Sequence, residues 1–283
     1  MPELPEIEAL RETLDARLVG RTITGVQARQ FALVKTYDPQ VDALVGQSFT
    51  GSGRHGKHLL LEVGADYTVA IHLGIGGRIV LVEAGRKPSK AVSMEIRVDD
   101  GTTIQIVELG TKKRSSVHVL RRADVAQHLA PLGVDALSPD LTPARLGELL
   151  ESERSQLKRF LTDQHRVAGI GNAYSDEILW EACLAPLKVT TSLDAEETER
   201  LHAAIGAVFT RAMEGARDGN YLLVARGDKR GDFRAHRREG EPCPRCGEMI
   251  ASIHFAESSL QYCPQCQVEG RRYADRRLSR LLK

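Results

Sequence analysis

Near its C-terminal end this 283-residue chain carries Cys243-Pro-Arg-Cys246 and Cys263-Pro-Gln-Cys266, two pairs sixteen residues apart. The spacing C-x2-C-x16-C-x2-C lets two tight turns bring four thiolates around one Zn2+ ion, and a site closed by four sulfurs leaves no open position for Lewis-acid chemistry. One structural zinc ion is expected, stapling a β-hairpin that serves either a nucleic-acid surface or a protein interface. At the other end, removal of Met1, expected ahead of a residue as small as proline, makes Pro2 a free secondary amine. Its α-amino pKa lies far below that of a lysine, so it can attack an aldehyde carbon and form an iminium. Glu3 and Glu6 follow within one helical turn, able to give a proton to a sugar oxygen and to orient the terminus. The same residues also suit an ordinary helix start, where proline and acids are favoured. Gly169-Ile170-Gly171-Asn172 reads as a turn in which glycines take positive φ or approach a ligand closely. It presents N–H groups and an amide to a phosphate, or it is a tight helix–helix turn with Asn172 as cap.

These residues need elements to hold them. Ile7, Leu10, Leu14 and Leu18 recur at helical spacing, so residues 4–18 are expected to form an amphipathic helix directly behind Pro2. From about Arg21 the pattern changes to short β-branched segments, TITGVQA, KHLLLEV, YTVAIHL, RIVLVEA, SMEIRVDDG, TIQIVEL and SVHVLR, with Asp100-Gly101 as a hairpin signal. Seven or eight such strands imply a β-sandwich or flattened barrel. After Ser138-Pro139-Asp140 the strand pattern stops, and residues 143–151, 155–163, 175–183 and 194–217 read as helices. The fold class is α+β multidomain, divided as residues 1–138, 139–231, a zinc hairpin at 232–268 and a basic tail at 269–283. The fifth cysteine, Cys183, reads as a small buried apolar residue at the end of its helix.

Composition narrows the classes further. No apolar run reaches the roughly eighteen residues of a membrane helix and the N-terminus lacks a signal-peptide layout, so a soluble intracellular protein is expected. An odd cysteine count with four in C-x-x-C pairs favours a metal site over a disulfide framework. Lys plus Arg is 39 and Asp plus Glu is 38, a net charge of +1 that gives no support to a nucleic-acid partner by itself. By segment, residues 1–138 carry 17 basic and 16 acidic groups, 139–225 carry 9 and 14, and 226–283 carry 13 and 8. The last stretch is therefore +5, a local footprint for phosphates.

Taken in order along nearly the whole chain, the motifs resemble the formamidopyrimidine-DNA glycosylase / endonuclease VIII family of base-excision repair enzymes. They are MPELPEIE, Lys57 in HGKHLLLEV, HLGIGG at 72–77, LTDQ followed by VAGIGNAYSDE, and REGEPCPRCG with YCPQC. The resemblance implies an N-terminal β-sandwich with its helix, a helix-two-turns-helix domain and a C-terminal zinc-binding β-hairpin, acting as a monomer on damaged DNA bent in the cleft between the main domains. It implies that Pro2 attacks C1′ of an everted nucleotide, that Glu3 protonates the ribose, and that Lys57 contacts phosphate and assists catalysis. Asn172 would bind backbone phosphate, and Lys158 would line the damage-binding region. The expected activity is that of a DNA glycosylase with associated AP lyase activity. A non-catalytic damage-binding paralogue is the alternative, and a zinc-ribbon interaction module a third class.

The departures matter equally. Where relatives of the formamidopyrimidine type carry a methionine and an Arg-x-Phe that fill the hole left by the flipped base, this chain has Ile75, and Lys112 with Arg114, without an aromatic. The arginine serving δ-elimination in the zinc hairpin is matched by Ser258, preceded by Glu257, and two further DNA contacts fall on Ser93 and Glu153. The interval between Tyr221 and the zinc hairpin is short. The expectation is a divergent lyase lacking the usual 8-oxoguanine preference, with weaker backbone binding and β-elimination exceeding δ-elimination.

Overall fold

The helix predicted by Ile7, Leu10, Leu14 and Leu18 is α1, Leu4–Leu18, and all four side chains are buried. The computed structural model describes residues 2–83, 85, 87–109, 113–218, 233–255 and 258–273. The chain divides into two compact units, Met1–Pro131 with Met213–Arg226, and Leu132–Ala212 with Gly227–Lys283.

Following α1, the first unit contains β1 (Ile23–Ala28), β2 (Phe49–His55), β3 (His58–Val63), β4 (Tyr67–His72), β5 (Gly77–Glu83), β6 (Val92–Val98), β7 (Thr102–Glu108), β8 (Ser116–Arg121) and the short helix α2 (Val125–Leu129). The strands form two four-stranded antiparallel sheets, ordered β1-β6-β7-β5 and β2-β3-β4-β8. This is the expected sandwich. Alternation explains its core: Leu59, Leu61 and Val63 of β3 face inward with Val69, Ile71, Val117 and Val119, and meet Met94, Ile96, Ile104 and Ile106 of the other sheet. Burial of each such side chain contributes about 1.5–3 kcal/mol. The Asp100-Gly101 signal is realised in the β6–β7 turn.

Strand β2 carries no pattern of its own. Gly51 and Gly53 interrupt it and only Phe49 is fully buried, so it is recruited by its ladder with β3 rather than by alternation.

In the second unit, β9 (Val134–Asp135) is followed by α3 (Pro143–Glu151), α4 (Leu157–Thr162), β10 (Val167–Ala168) and α5 (Asn172–Glu181); α6 (Ala195–Asp218) belongs to it up to Ala212, and its remainder from Met213 is counted with the first unit. Strands β9 and β10 pair in parallel. The zinc hairpin is β11 (Ala251–His254) and β12 (Ser259–Tyr262), followed by α7 (Pro264–Val268).

The end of α5 corrects the reading of Cys183. The helix stops at Glu181 and closes in a Schellman motif, Cys183 N–H to Trp180 C=O at 3.2 Å and Leu184 N–H to Leu179 C=O at 3.0 Å. Cys183 occupies the left-handed position at φ 55°, beyond the buried face, and is exposed instead of being a core residue. Among the described residues, no helix is long and apolar enough to cross a membrane.

Candidate active site and zinc centre

Glu3 is the N-cap of α1, and its N–H donates to Glu6 Oε2 at 2.6 Å in a capping box. Helix starts normally keep such carboxylates in water, yet Glu3 and Glu6 are each 3% exposed. The cation set against both of them is Lys57. It follows Gly56 in the two-residue connection between β2 and β3, where His55 pairs with His58. Gly56 takes φ 55°, a left-handed value that a side chain would strain, which is why glycine stands there. Lys57 sits on the turn yet is only 6% exposed. Burial holds its ammonium below the usual lysine range, while Glu3 and then Glu6 pull it back up, so both carboxylates act on its charge. The sequence-predicted trio of Pro2, Glu3 and Lys57 thus lies on two elements of one unit, the start of α1 and the β2–β3 turn.

Beside this site lies a feature that no short-range pattern announces. His58, His72 and His118 share the outer face of the β2-β3-β4-β8 sheet, His58 directly opposite His72, and His128 of α2 lies over them. Ring centroids are 4.9 Å apart for His58 and His72, and 4.4 Å for His118 and His128. Burial lowers His58 to about 3, with His72, His128, His118 and His55 adding to the effect, and its Nδ1 is buried without a partner. Burial lowers His72 also, assisted by the charge of Lys57.

The HLGIGG segment is a turn in which Gly74 takes φ 56° and leaves no room for a Cβ, because the Arg114 carbonyl would stand 2.7 Å from it. It presents Ile75, 53% exposed, and Leu109, 51% exposed, is tied to the same turn by its N–H to Gly76 C=O at 3.0 Å. Leu109 is an aliphatic contributor that sequence reading missed. Ser93 is fully buried and donates to Glu108 Oε2 at 3.1 Å, while the Ser115 N–H takes Glu108 Oε1. It therefore anchors the β7–β8 connection and offers nothing to DNA. Lys112, expected as a DNA contact in that connection, lies outside the described residues, as do Glu257, Tyr221 and residues 274–283 of the tail.

In the second unit the glycine turn behaves differently from the expectation in two respects. Gly169 has φ 113°, but Gly171 is extended at φ −126° and is itself the N-cap of α5. Asn172 is the first helical residue, half-buried, and is not the cap.

Lys158 proves to be a tie. Its Nζ contacts Asp176 Oδ1 at 2.5 Å, Asn172 C=O at 3.1 Å and Ser259 C=O at 3.3 Å, which accounts for all three ammonium protons. Asp176 is fully buried and also meets His236 Nδ1 at 2.8 Å, while adjacent Glu177 accepts N–H bonds from Arg234, Ala235 and His236 at 2.8 Å each. Burial pushes Glu177 up despite those donors. This acidic pair on α5, which sequence alone would leave on a solvated face, fastens the segment entering the zinc hairpin. Glu153 pairs with Arg166 at 2.6 Å, and Ser258 is exposed at the hairpin tip, its carbonyl accepting from Phe255 N–H at 2.8 Å.

The four sulfurs of Cys243, Cys246, Cys263 and Cys266 all lie within 4.8 Å of one another. Cys243 and Cys266 are 4.0 Å apart and Cys246 and Cys263 3.4 Å, close to the roughly 3.8 Å expected of thiolates on a tetrahedral Zn2+. Burial pushes Cys263 up to about 11 and Cys266 higher. At Cys243 burial also opposes ionisation, but hydrogen bonds from the Trp180 indole (3.3 Å) and the N–H groups of Arg245 and Cys246 outweigh it and bring it down to about 7. A divalent cation answers that conflict, because it stabilises four thiolates at once. The donor set fits one structural zinc ion. Trp180 packs with Ala235, Cys243, Ile250 and Cys263, which welds the centre to α5. Arg245 stacks on Trp180 at 4.1 Å and reaches the exposed Cys183 Sγ at 2.7 Å.

Comparison with known proteins agrees with this architecture. Residues 1–114 match the formamidopyrimidine-DNA glycosylase N-terminal domain, 132–221 its H2TH domain, and 240–268 the zinc finger found in FPG and IleRS. The chain is 35% identical over 274 residues to the formamidopyrimidine-DNA glycosylase of Chloroflexus aurantiacus, covering 95% of this chain and 98% of that one. It is 32% identical to the Mycolicibacterium gilvum enzyme, covering 96% and 100%. Among solved structures, it is similar to a Lactococcus lactis FPG mutant in complex with Fapy-dG DNA (TM-score 0.86, 27% identity, 94% and 100% covered). It also matches the Lactococcus lactis enzyme bound to DNA containing an AP site (TM-score 0.85, 26% identity, 94% and 100% covered). With matches across both units and the zinc hairpin, the chain belongs to the formamidopyrimidine-DNA glycosylase family.

Proposed function

We propose that Pro2, Glu3 and Lys57 are the catalytic residues of this base-excision DNA glycosylase and AP lyase, acting on oxidised bases or abasic sites through a Schiff base at the N-terminal proline. The target nucleotide is everted first, since its C1′ cannot be reached within the stack. With Met1 removed, the Pro2 nitrogen attacks C1′ and loses its proton as the base departs with the glycosidic electron pair, or as the C1′ hydroxyl of an abasic site departs as water. Glu3 then delivers a proton to the ribose ring oxygen, the C1′–O4′ bond breaks, and the opened sugar remains as an iminium on Pro2. The iminium acidifies C2′. Loss of a C2′ proton moves an electron pair toward C3′ and expels the 3′ phosphate, the β-elimination step. Lys57 contacts the phosphate beside the reacting sugar and assists.

The observation that carries this reading is the burial of Lys57 against Glu3 and Glu6, an arrangement that ordinary helix capping does not call for. Asn172 and Lys112 hold backbone phosphates, residues 1–138 carry the chemistry, 139–231 hold DNA, the 232–268 hairpin is kept rigid by its zinc ion, and the tail at 269–283 adds positive charge. The relatives bound to Fapy-dG and AP-site DNA support the substrate class. We place the enzyme inside the cell as a monomer. Ile75 with Leu109 replaces an aromatic-bearing wedge, so base recognition is less selective than that of 8-oxoguanine specialists.

A panel of duplexes carrying 8-oxoguanine, formamidopyrimidine, oxidised pyrimidines or an abasic site tests the proposal. Strand scission at the abasic site, with β product exceeding δ, is expected. An intact abasic strand under conditions where the protein binds it contradicts the lyase assignment and leaves a damage binder.

A further inference from the structure

Lys57 depends on a turn that has little stiffness of its own, since Gly56 has no side chain to restrict it. One guanidinium supplies the restraint. Arg54, on β2, is nearly buried, its side chain 7% exposed. Its Nε donates to Glu8 Oε2 at 2.8 Å, and its Nη1 donates to Gly56 C=O at 3.0 Å. Glu8 lies on α1, the helix that begins with Glu3 and Glu6, and its other oxygen is taken by Arg11 at 2.8 Å. Burial opposes ionisation of Glu8, but the hydrogen bonds from Arg11 and then Arg54 prevail and hold its carboxyl below the usual range, so the anchor is charged at neutral pH. The helix that supplies Pro2 and Glu3 and the turn that supplies Lys57 are therefore joined through one planar side chain.

We propose that Arg54 is a positioning residue that fixes the Lys57 turn against α1, acting through the Gly56 carbonyl and anchored by Glu8. The inference rests on the assignment of Lys57 to the catalytic site. Arg54 bridges because a guanidinium offers N–H groups in two directions within one plane. A lysine at this position keeps the charge facing Glu8 but has a single head that cannot span both acceptors. With the bridge gone, the Gly56-Lys57 turn loosens and the ammonium gains access to water. Near-attack geometry is sensitive to displacements of an ångström, so the chemical step suffers while the fold persists.

The test uses full-length, zinc-loaded Arg54→Lys. The Lys57 ammonium is followed by NMR in lysine-labelled protein, its resonance identified by loss in Lys57→Arg. Borohydride trapping on abasic duplex is timed under single-turnover conditions. Lys57 is expected to titrate below an ordinary lysine in the wild type and to move back up in Arg54→Lys. Adduct formation should slow by roughly ten- to a hundred-fold, with DNA affinity and thermal midpoint unchanged within error. Unmoved titration with trapping at the wild-type rate overturns the proposal. Should Arg54→Lys fail to fold, Glu8→Gln removes the anchor's charge and is expected to shift both readouts in the same direction, and wild-type behaviour there has the same force. Pro2→Gly separates the two levels of argument: an undiminished adduct in that variant defeats the catalytic reading, whereas the Lys57 titration reports on Arg54 without DNA or turnover.

Discussion

Lys57 and Lys158 are both lysines withdrawn from water beside carboxylates, and they have opposite tasks. Lys158 gives its protons to buried Asp176 and to backbone carbonyls of α5 and β12, so its contacts join elements of the second unit. Lys57 is set against the two carboxylates of one helix N-terminus, which follows the proposed nucleophile Pro2 in sequence, and burial keeps its proton affinity low. The family resemblance assigned both to DNA. What separates them is the origin of their partners: acceptors drawn from several elements make Lys158 a joint, and carboxylates gathered at one helix start suit the catalytic role proposed for Lys57.

Substitution should break that comparison cleanly. Lys57→Ala is expected to reduce strand scission at an abasic site by about a hundred-fold or more at equal folded fraction, the largest effect on turnover. Lys158→Met should act on stability instead. It leaves the buried Asp176 with His236 as its remaining side-chain partner and empties the two carbonyl contacts, a loss of up to about 3–5 kcal/mol in denaturant unfolding. A Lys158→Met protein of unchanged stability that has lost DNA affinity would make Lys158 a phosphate contact after all.

A smaller effect concerns how dry the surroundings of Lys57 are. His58 titrates near 3 in the fold against about 6.5 in the unfolded chain. Between those values the unfolded state binds more protons, so the contribution to stability is complete above about pH 6.5 and is lost as pH falls below it. The slope is at most about 1.4 kcal/mol per pH unit. Urea midpoints at pH 7 and pH 5 should separate in the wild type and separate less in His58→Phe, where the lowered His72, His118 and His128 still contribute. The smallest effect belongs to the zinc hairpin: Ser258→Arg should steepen the salt dependence of DNA binding by about one phosphate contact, a slope change near 0.9, and raise the share of δ product. An unchanged slope would mean that the hairpin tip does not meet the backbone.

Legibility followed the range of the interaction. The core strands were readable because alternation in strands such as β3 is local, and the zinc centre because two C-x-x-C turns fix their ligands by spacing alone. Strand β2 was not, since Gly51 and Gly53 erase its alternation and its pairing is decided by β3. Cys183 was misplaced by a two-residue error at a helix end, enough to turn an interior position into an exposed left-handed one. At the candidate site, Pro2, Glu3 and Lys57 are named by motif order, and the burial of Glu3 and Lys57 is what the sequence does not reveal. Arg54, Leu109 and the histidine cluster were not, because their partners lie on neighbouring strands or turns that no short window contains. Lys158 shows the opposite failure: a motif match located the residue, while only the buried Asp176 reveals its work.

The proposed chemistry requires Pro2 as nucleophile. Borohydride reduction during reaction with abasic duplex, analysed by denaturing electrophoresis and intact mass, tests it most directly. The wild type, with Met1 absent from its measured mass, should yield a covalent protein–DNA adduct, and Pro2→Gly should yield far less at equal DNA occupancy. An adduct undiminished by that substitution, or none from a wild type whose N-terminus is free proline, would rule out Pro2 as the nucleophile.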